Sequence, residues 1–187
     1  QTFPEGAFSS NANFYLGSIA FAKKEFDEAI QRFRSVIASG DTKFLEESVA
    51  RTAEIEYLGK DYPAALESFK RLQIVAENQE NKQAARLGIM RCALQTGQQK
   101  DALLAANELL KDPKLSPELE AEARYVRAKA YIDQKQANKA LADLKELSKD
   151  TRTVHGAEAK YLLAQLYYDT NDDKNAEKEL MNFIENG

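Results

Sequence analysis

Five alanines, Ala29, Ala65, Ala102, Ala140 and Ala176, follow one another at spacings of 36, 37, 38 and 36 residues. Each stands in the same local pattern, with a short polar turn before it and large apolar residues four and seven positions after it. These are Phe33 and Val36, Phe69 and Leu72, Leu144 and Leu147, and Leu180 and Phe183; the third segment places Ala106 at the first position and keeps Leu109. Spacings of four and seven mark one face of an α-helix. Recurrence at such a period means units that cannot bury an apolar face alone and must stack to do so.

Each unit reads as two helices. The first carries a small residue at one shared register, Ala12, Ser48, Ala85, Ala123 and Ala159, followed by apolar and aromatic residues at near-helical intervals. The turns between the two helices, "AKKEF", "GKDYP", "TGQQK", "QKQAN" and "TNDDK", are of a length that makes the helices antiparallel neighbours. Linkers between units are also short. In "DPKLSPELE", Pro113 ends one helix, Ser116 caps the next, Pro117 takes its first position, and Glu118 and Glu120 suit the positive end of its dipole. Pro63 falls in a first turn, where its missing N–H has no intrahelical partner to lose. Eight glycines, four prolines and no tryptophan, in a chain dominated by good helix formers, favour an all-α fold. The alanine register is where the second helix lies against the first helix of its own unit. A larger side chain there would push the axes apart.

Composition narrows the function. The net charge of −4 comes from 26 basic and 30 acidic residues interleaved along the chain, which argues against nucleic acid, since phosphate binding needs a basic face. The single cysteine, Cys92, excludes an internal disulfide framework and leaves the compartment open. No apolar stretch approaches the roughly 18 residues that cross a bilayer. A chain beginning at Gln1 leaves room for targeting information upstream.

No catalytic constellation is visible. His155, the only histidine, has no Cys, Asp or Glu cluster at ligand spacing and reads as a surface or capping residue. Cys92 falls on the packed side of a first helix, as a small hydrophobe; Arg91 beside it points elsewhere on the helix. Phosphate-binding glycine loops, H-E-x-x-H and G-x-S-x-G are missing. Carboxylates in stretches such as "EKEL" and "ADLKEL" read as solvated partners of lysines. No enzyme activity, cofactor or metal is expected.

The units resemble tetratricopeptide repeats, whose pattern runs W-x-x-L-G-x-x-Y and then G-x-Y-x-x-A-x-x-x-F-x-x-A. Leu16, Gly17, Phe26, Ala29 and Phe33 match in unit one; Tyr62, Ala65 and Phe69 in unit two; Gly97 and Ala102 in unit three; Tyr131 and Ala140 in unit four; Tyr167 and Ala176 in unit five. The leading tryptophan is missing, Gly97 alone occupies the interhelix glycine position, and the units are longer than the commonest form, as in bacterial envelope assembly lipoproteins and large bacterial repeat proteins. The resemblance implies a right-handed α-solenoid of about five antiparallel helix-turn-helix repeats. Their approximate spans are 10–40, 44–79, 81–112, 116–150 and 154–186, in a single array over 1–187.

In that family the first helices line a concave groove. The resemblance places groove contacts at an earlier register, Phe14, Ala50, Leu87, Tyr125 and Tyr161, and a later one, Phe21, Tyr57, Leu94, Ile132 and Tyr168. Ser18, Glu54, Arg91, Lys129 and Gln165 lie between them. Such an aromatic and apolar strip suits an extended or helical peptide. The family's lysine-and-asparagine clamp for a C-terminal carboxylate is not reproduced. The expected function is therefore a non-enzymatic scaffold that binds a protein or peptide in the groove. The alternatives are a purely architectural segment of a larger repeat protein and, from another class, a helical enzyme domain. The compartment is open, with the bacterial periplasm or cell envelope favoured over the cytoplasm.

The ends carry their own expectation. Leu180, Met181, Phe183 and Ile184 leave the last helix apolar flanks with no polar capping helix before Asn186 and Gly187, and "TFPEGAF" looks like the remnant of a preceding unit. The chain is then part of a longer array, or its ends self-associate.

Overall fold

The fold is that of a computed structural model, which describes residues 5–40 and 42–186. Among the described residues ten helices run in chain order: α1 (Glu5–Ala22), α2 (Phe26–Ser39), α3 (Leu45–Leu58), α4 (Tyr62–Val75), α5 (Gln79–Gln95), α6 (Gln99–Leu109), α7 (Pro117–Asp133), α8 (Ala137–Leu147), α9 (Val154–Asp169) and α10 (Asp173–Asn186). The described residues contain no strand, so the all-α expectation holds. Of the segment 2–8, residues 5–8 form the first turn of α1 and residues 2–4 lie outside the described residues.

The chain divides into two compact units, Gln1–Gly97 with α1 to α5 and Gln98–Gly187 with α6 to α10. In the first unit each helix packs on the next, and α3 also reaches α5. In the second the same succession holds, and α7 also reaches α9. Contact between every second helix is what stacked hairpins produce.

The turns repeat as strictly as the alanines do. Lys24, Lys60, Gly97, Lys135 and Asn171 all have positive φ, between 58° and 73°, and each lies five residues before its alanine. At Lys24, Lys60, Lys135 and Asn171 the amide bonds back to the carbonyl three residues earlier. The amide of the next residue bonds to the carbonyl five earlier, as Glu25 does to Ala20 and Asp61 to Glu56. This is the Schellman closure, which satisfies the last carbonyls of a helix through one left-handed residue. Only Gly97 adopts that conformation without steric cost. Lys60→Gly is therefore expected to stabilise the chain by about 0.5–1 kcal/mol, measured by urea denaturation.

Capping follows the sequence. Ser116 Oγ accepts from the Leu119 amide at 3.3 Å, with Pro117 in the first turn, and Asp61 accepts from Ala64 at 3.2 Å, with Pro63 in the first turn. Helix α6 ends at Leu109, ahead of Pro113.

The core sits on the repeated registers. Ala29, Ala65, Ala102 and Ala140 are fully buried and Ala176 nearly so. The residues two positions later, Gln31, Glu67, Leu104, Ala142 and Lys178, are all exposed. The small residues of the first helices behave alike in four cases: Ser48, Ala85, Ala123 and Ala159 are fully buried, whereas Ala12 is exposed. Between pairs, Phe33 of α2 joins Ile55 of α3 in one cluster. Leu144 and Leu147 of α8 join Ala159, Leu163 and Leu166 of α9 in another. Burying a side chain of that size stabilises by about 1.5–3 kcal/mol.

Two carboxylates depart from the solvated reading. Asp143, in "ADLKEL", is buried and is held by Arg127, Nε to Oδ2 at 2.7 Å and Nη2 to Oδ1 at 2.7 Å, and by Arg124 at 3.1 Å. Glu56 is buried and accepts from Arg34 at 2.9 Å and from Ser68. Both face a neighbouring helix rather than solvent, because the arginine that neutralises each comes from a different helix, which local sequence spacing does not reveal.

Candidate functional site

In the first unit, α3, α4 and α5 enclose a cavity of about 460 Å³. Its wall includes Ala50, Glu54 and Tyr57 from α3 and Leu87 and Arg91 from α5. These five occupy the expected groove registers on successive first helices. Phe69 and Leu72 of α4 add apolar surface behind them. Tyr57 meets Phe69 and Tyr62 edge to face, with centroids 6.4 and 5.8 Å apart, so its ring is held by its own hairpin while one side borders the cavity. Gly88 lies under the Phe69 ring: a Cβ there would fall inside the ring's van der Waals envelope. The glycine thus allows Phe69 to seat against the α5 backbone.

Polar residues missed by the sequence reading shape the rim. Arg51 bonds Glu47 at 2.9 Å and Glu54 at 3.0 Å while its guanidinium lies 4.8 Å from the Phe21 ring centroid. It neutralises both carboxylates and covers Phe21. Glu46 accepts from the Glu77 amide at 3.1 Å and from the side chains of Asn78 and Asn81 at 2.6 and 2.7 Å. Burial pushes its pKa up, but those hydrogen bonds outweigh it and leave the carboxyl below the usual carboxylate range. Asn78 and Asn81 line the cavity, so Glu46 fixes one edge of it. The i,i+4 pairing of Arg51 with Glu47 was legible in the sequence, whereas the reach of Glu46 to residues 77–81 was not.

The remaining groove residues of the first unit are more packed. Phe14 stacks on Phe44 with centroids 4.2 Å apart, Phe21 meets Phe26 edge to face, and Ser18 donates to the Phe14 carbonyl at 2.9 Å. Leu94 is half-buried.

In the second unit the same registers bring Tyr125, Lys129 and Ile132 onto α7 and Tyr161, Gln165 and Tyr168 onto α9. Tyr161 and Tyr168 are 56% and 69% exposed, and Gln165 is exposed, whereas the three α7 residues are half-buried. A shallower cavity of about 340 Å³ lies among Tyr125, Ala157, Glu158, Tyr161 and Leu162. Burial, and then the hydrogen bond to Glu158, raise the pKa of Tyr125 far above its ordinary value, so it stays a neutral phenol. Lys129 Nζ stands 5.5 Å from the same ring's centroid.

His155 corrects the sequence reading. It is half-buried and stacks on Tyr125 with centroids 4.9 Å apart, which makes it part of the α7–α9 contact rather than a surface or capping residue. The reason is positional: the first turn of α9 meets α7. Cys92 is fully buried, and burial pushes its thiol up to about 11, as expected of a structural cysteine. Among the described residues no group of three or more side chains of metal-ligating type is assembled, and no helix is long and apolar enough to cross a membrane.

Residues 125–182, spanning α7 to α10, match the family model for the tetratricopeptide repeat. Over that stretch the chain is similar to the tetratricopeptide repeat. No curated protein matches it by sequence. Among solved structures it is similar to MamA 41-end from Desulfovibrio magneticus RS-1, with 15% identity, 95% of this chain and 94% of that one covered, and a TM-score of 0.70. It is likewise similar to YrrB, described as a tetratricopeptide repeat protein with an unusual peptide-binding site, with 13% identity, coverage of 92% and 84%, and a TM-score of 0.73. A tetratricopeptide repeat protein from Parabacteroides merdae ATCC 43184 gives 15% identity, coverage of 95% and 66%, and a TM-score of 0.69. At these identities the likeness establishes a shared repeat fold. Such repeats generally serve as interaction modules.

Proposed function

We propose that the chain is a non-enzymatic scaffold whose first helices bind an extended or helical peptide, and that its five helix pairs act as one array. The observation that carries this reading is the cavity of about 460 Å³, which gathers Ala50, Glu54, Tyr57, Leu87 and Arg91 from two successive first helices. A volume of that size accepts one or two large side chains, with Tyr57 and Leu87 as apolar anchors and the carboxylates and arginines of the rim selecting the polar flank. Recognition rests on shape and burial, with no bond broken. The printed description of YrrB as a peptide binder adds support by analogy. Within the second unit, Tyr125, Tyr161 and Tyr168 stand at the corresponding registers. Units of 36 to 38 residues favour a bacterial protein of the cell envelope.

The test is selection of linear peptides from a random display library, followed by titration of the enriched peptide. Leu87→Glu is expected to weaken binding by at least about tenfold, or about 1.4 kcal/mol, without a change in melting temperature. A library that yields no peptide, or one whose binding ignores Leu87→Glu and Tyr57→Ala, contradicts the groove and supports the architectural role.

A further inference from the structure

The cavities of the two units occupy the same registers and are lined by different chemistry. Counted back from the turn residue of each hairpin, Tyr125 stands where α3 has Ala50, Tyr161 where α5 has Leu87, Glu158 where α5 has Ala84, and Leu162 where α5 has Gly88. Leu162 and Tyr125 fill what a glycine and an alanine leave open, so the second cavity is the shallower one. It forms between α7 and α9, each with a helix before and after it in the chain, unlike the exposed apolar residues Leu180, Met181 and Ile184 of α10. Phe183, named with them in the sequence reading, lies outside the described side chains.

The charge of the two linings differs as well. Arg51 and Arg91 border the first cavity together with Glu47, Glu54 and Glu80. Among the described residues lining the second, Glu158 alone is charged, set between Tyr125, Ala157, Tyr161 and Leu162. Its carboxylate accepts from the Tyr125 hydroxyl, and among the described residues no lysine or arginine pairs with it. A carboxylate has about four acceptor positions, so a further donor has room.

The first unit shows what a ring beside carboxylates holds. There Arg51 lays its guanidinium 4.8 Å from the Phe21 ring centroid while it bonds Glu47 and Glu54. The place of Arg51, nine residues before the turn, is taken in the second unit by Val126 on α7 and Leu162 on α9. The other cations of these helices are engaged. Arg124 and Arg127 turn to Asp143, and Lys160 is buried against Asn182. Lys129 comes nearest, with Nζ 5.5 Å from the Tyr125 ring centroid, and it stands outside the lining. His155 stacks on that same ring and fixes its plane.

We propose that the cavity between α7 and α9 is a subsite for an arginine side chain of the bound peptide, its guanidinium donating to Glu158 and lying over the Tyr161 ring. The subsite rests on the reading of the first helices as a peptide-binding face and names the chemistry of one peptide position. Arginine suits it better than lysine, because a planar fork bonds a carboxylate along one edge while its face stacks on an aromatic ring. The net charge of −4 also draws a basic partner to the chain.

Nuclear magnetic resonance titration of the whole chain tests this with two probes, acetyl-Gly-Ala-Arg-Ala-Gly-amide and the same peptide with citrulline in place of arginine, which keeps the planar shape and removes the charge. The arginine peptide is expected to shift the amides of Ala157, Glu158 and Leu162 and the ring signals of Tyr161 to saturation, and the citrulline peptide to bind at least about fivefold more weakly. Glu158→Gln and Tyr161→Leu are each expected to weaken the arginine peptide by at least about threefold, and Lys129→Met to tighten it, since a competing cation is gone. Equal binding of the two peptides, shifts scattered over other acidic surface instead of α9, or binding that ignores Glu158→Gln would each overturn the proposal. The peptide comparison needs no variant, so it decides even where a variant fails to fold. A chain that binds its library peptide through Leu87 but does not tell arginine from citrulline keeps the groove and loses the subsite. A library that yields nothing, beside an arginine peptide that shifts α9, loses the groove and keeps the guanidinium site.

Discussion

Ala65→Leu lowers the melting temperature by about 6 °C, the shift that a loss of about 2 kcal/mol produces in a chain of this length. Ala65 is fully buried at the point of closest approach expected between α4 and α3, so the extra carbons are expected to push the helices apart. The neighbouring Glu67→Ala changes stability by less than about 0.5 kcal/mol, because Glu67 is exposed and its pairing with Lys70, 3.6 Å away, is a surface ion pair. Equal tolerance of both substitutions in a thermal melt would remove the physical reason for the alanine.

Gly88→Ala is the smallest possible addition and is expected to cost about 3 kcal/mol, near the top of the range for overpacking. The new methyl would enter the space of the Phe69 ring, which is buried where α4 packs on α5. Phe69→Leu should relieve part of that conflict. In a double-mutant cycle read by urea denaturation, the cost of Gly88→Ala in the Phe69→Leu background is expected to drop by at least about 1 kcal/mol. Additive costs would place the strain elsewhere. Both residues border the larger cavity, so Gly88→Ala also distorts the proposed peptide site.

The repeat was legible because its contact is made by the smallest side chain. A methyl-sized residue at a fixed interval has few explanations other than close helix approach, and the five turn residues with positive φ fall in the same intervals. Ser116 and Pro117 were legible for the same reason, since a cap acts within one turn of chain. Contacts between distant segments were not. Asp143 looked like any surface carboxylate until α7 supplied Arg124 and Arg127, and His155 looked isolated until Tyr125 came beneath it. The aromatics of the first helices show the ambiguity most plainly. Phe14 is spent on Phe44 and Phe21 on Phe26 and Arg51, while Tyr161 and Tyr168 remain exposed at the same registers, a difference decided by neighbours rather than by spacing.

The most direct test of the account is a leucine scan at Ala29, Ala65, Ala102, Ala140 and Ala176, set beside alanine or serine substitutions at Gln31, Glu67, Leu104, Ala142 and Lys178, with thermal melting as the readout. Five buried notches and five exposed neighbours predict that every leucine lowers the melting temperature while every control leaves it within about 2 °C, the shift expected for changes under 0.5 kcal/mol. Leucine accepted without loss at three or more of the five alanines would contradict it.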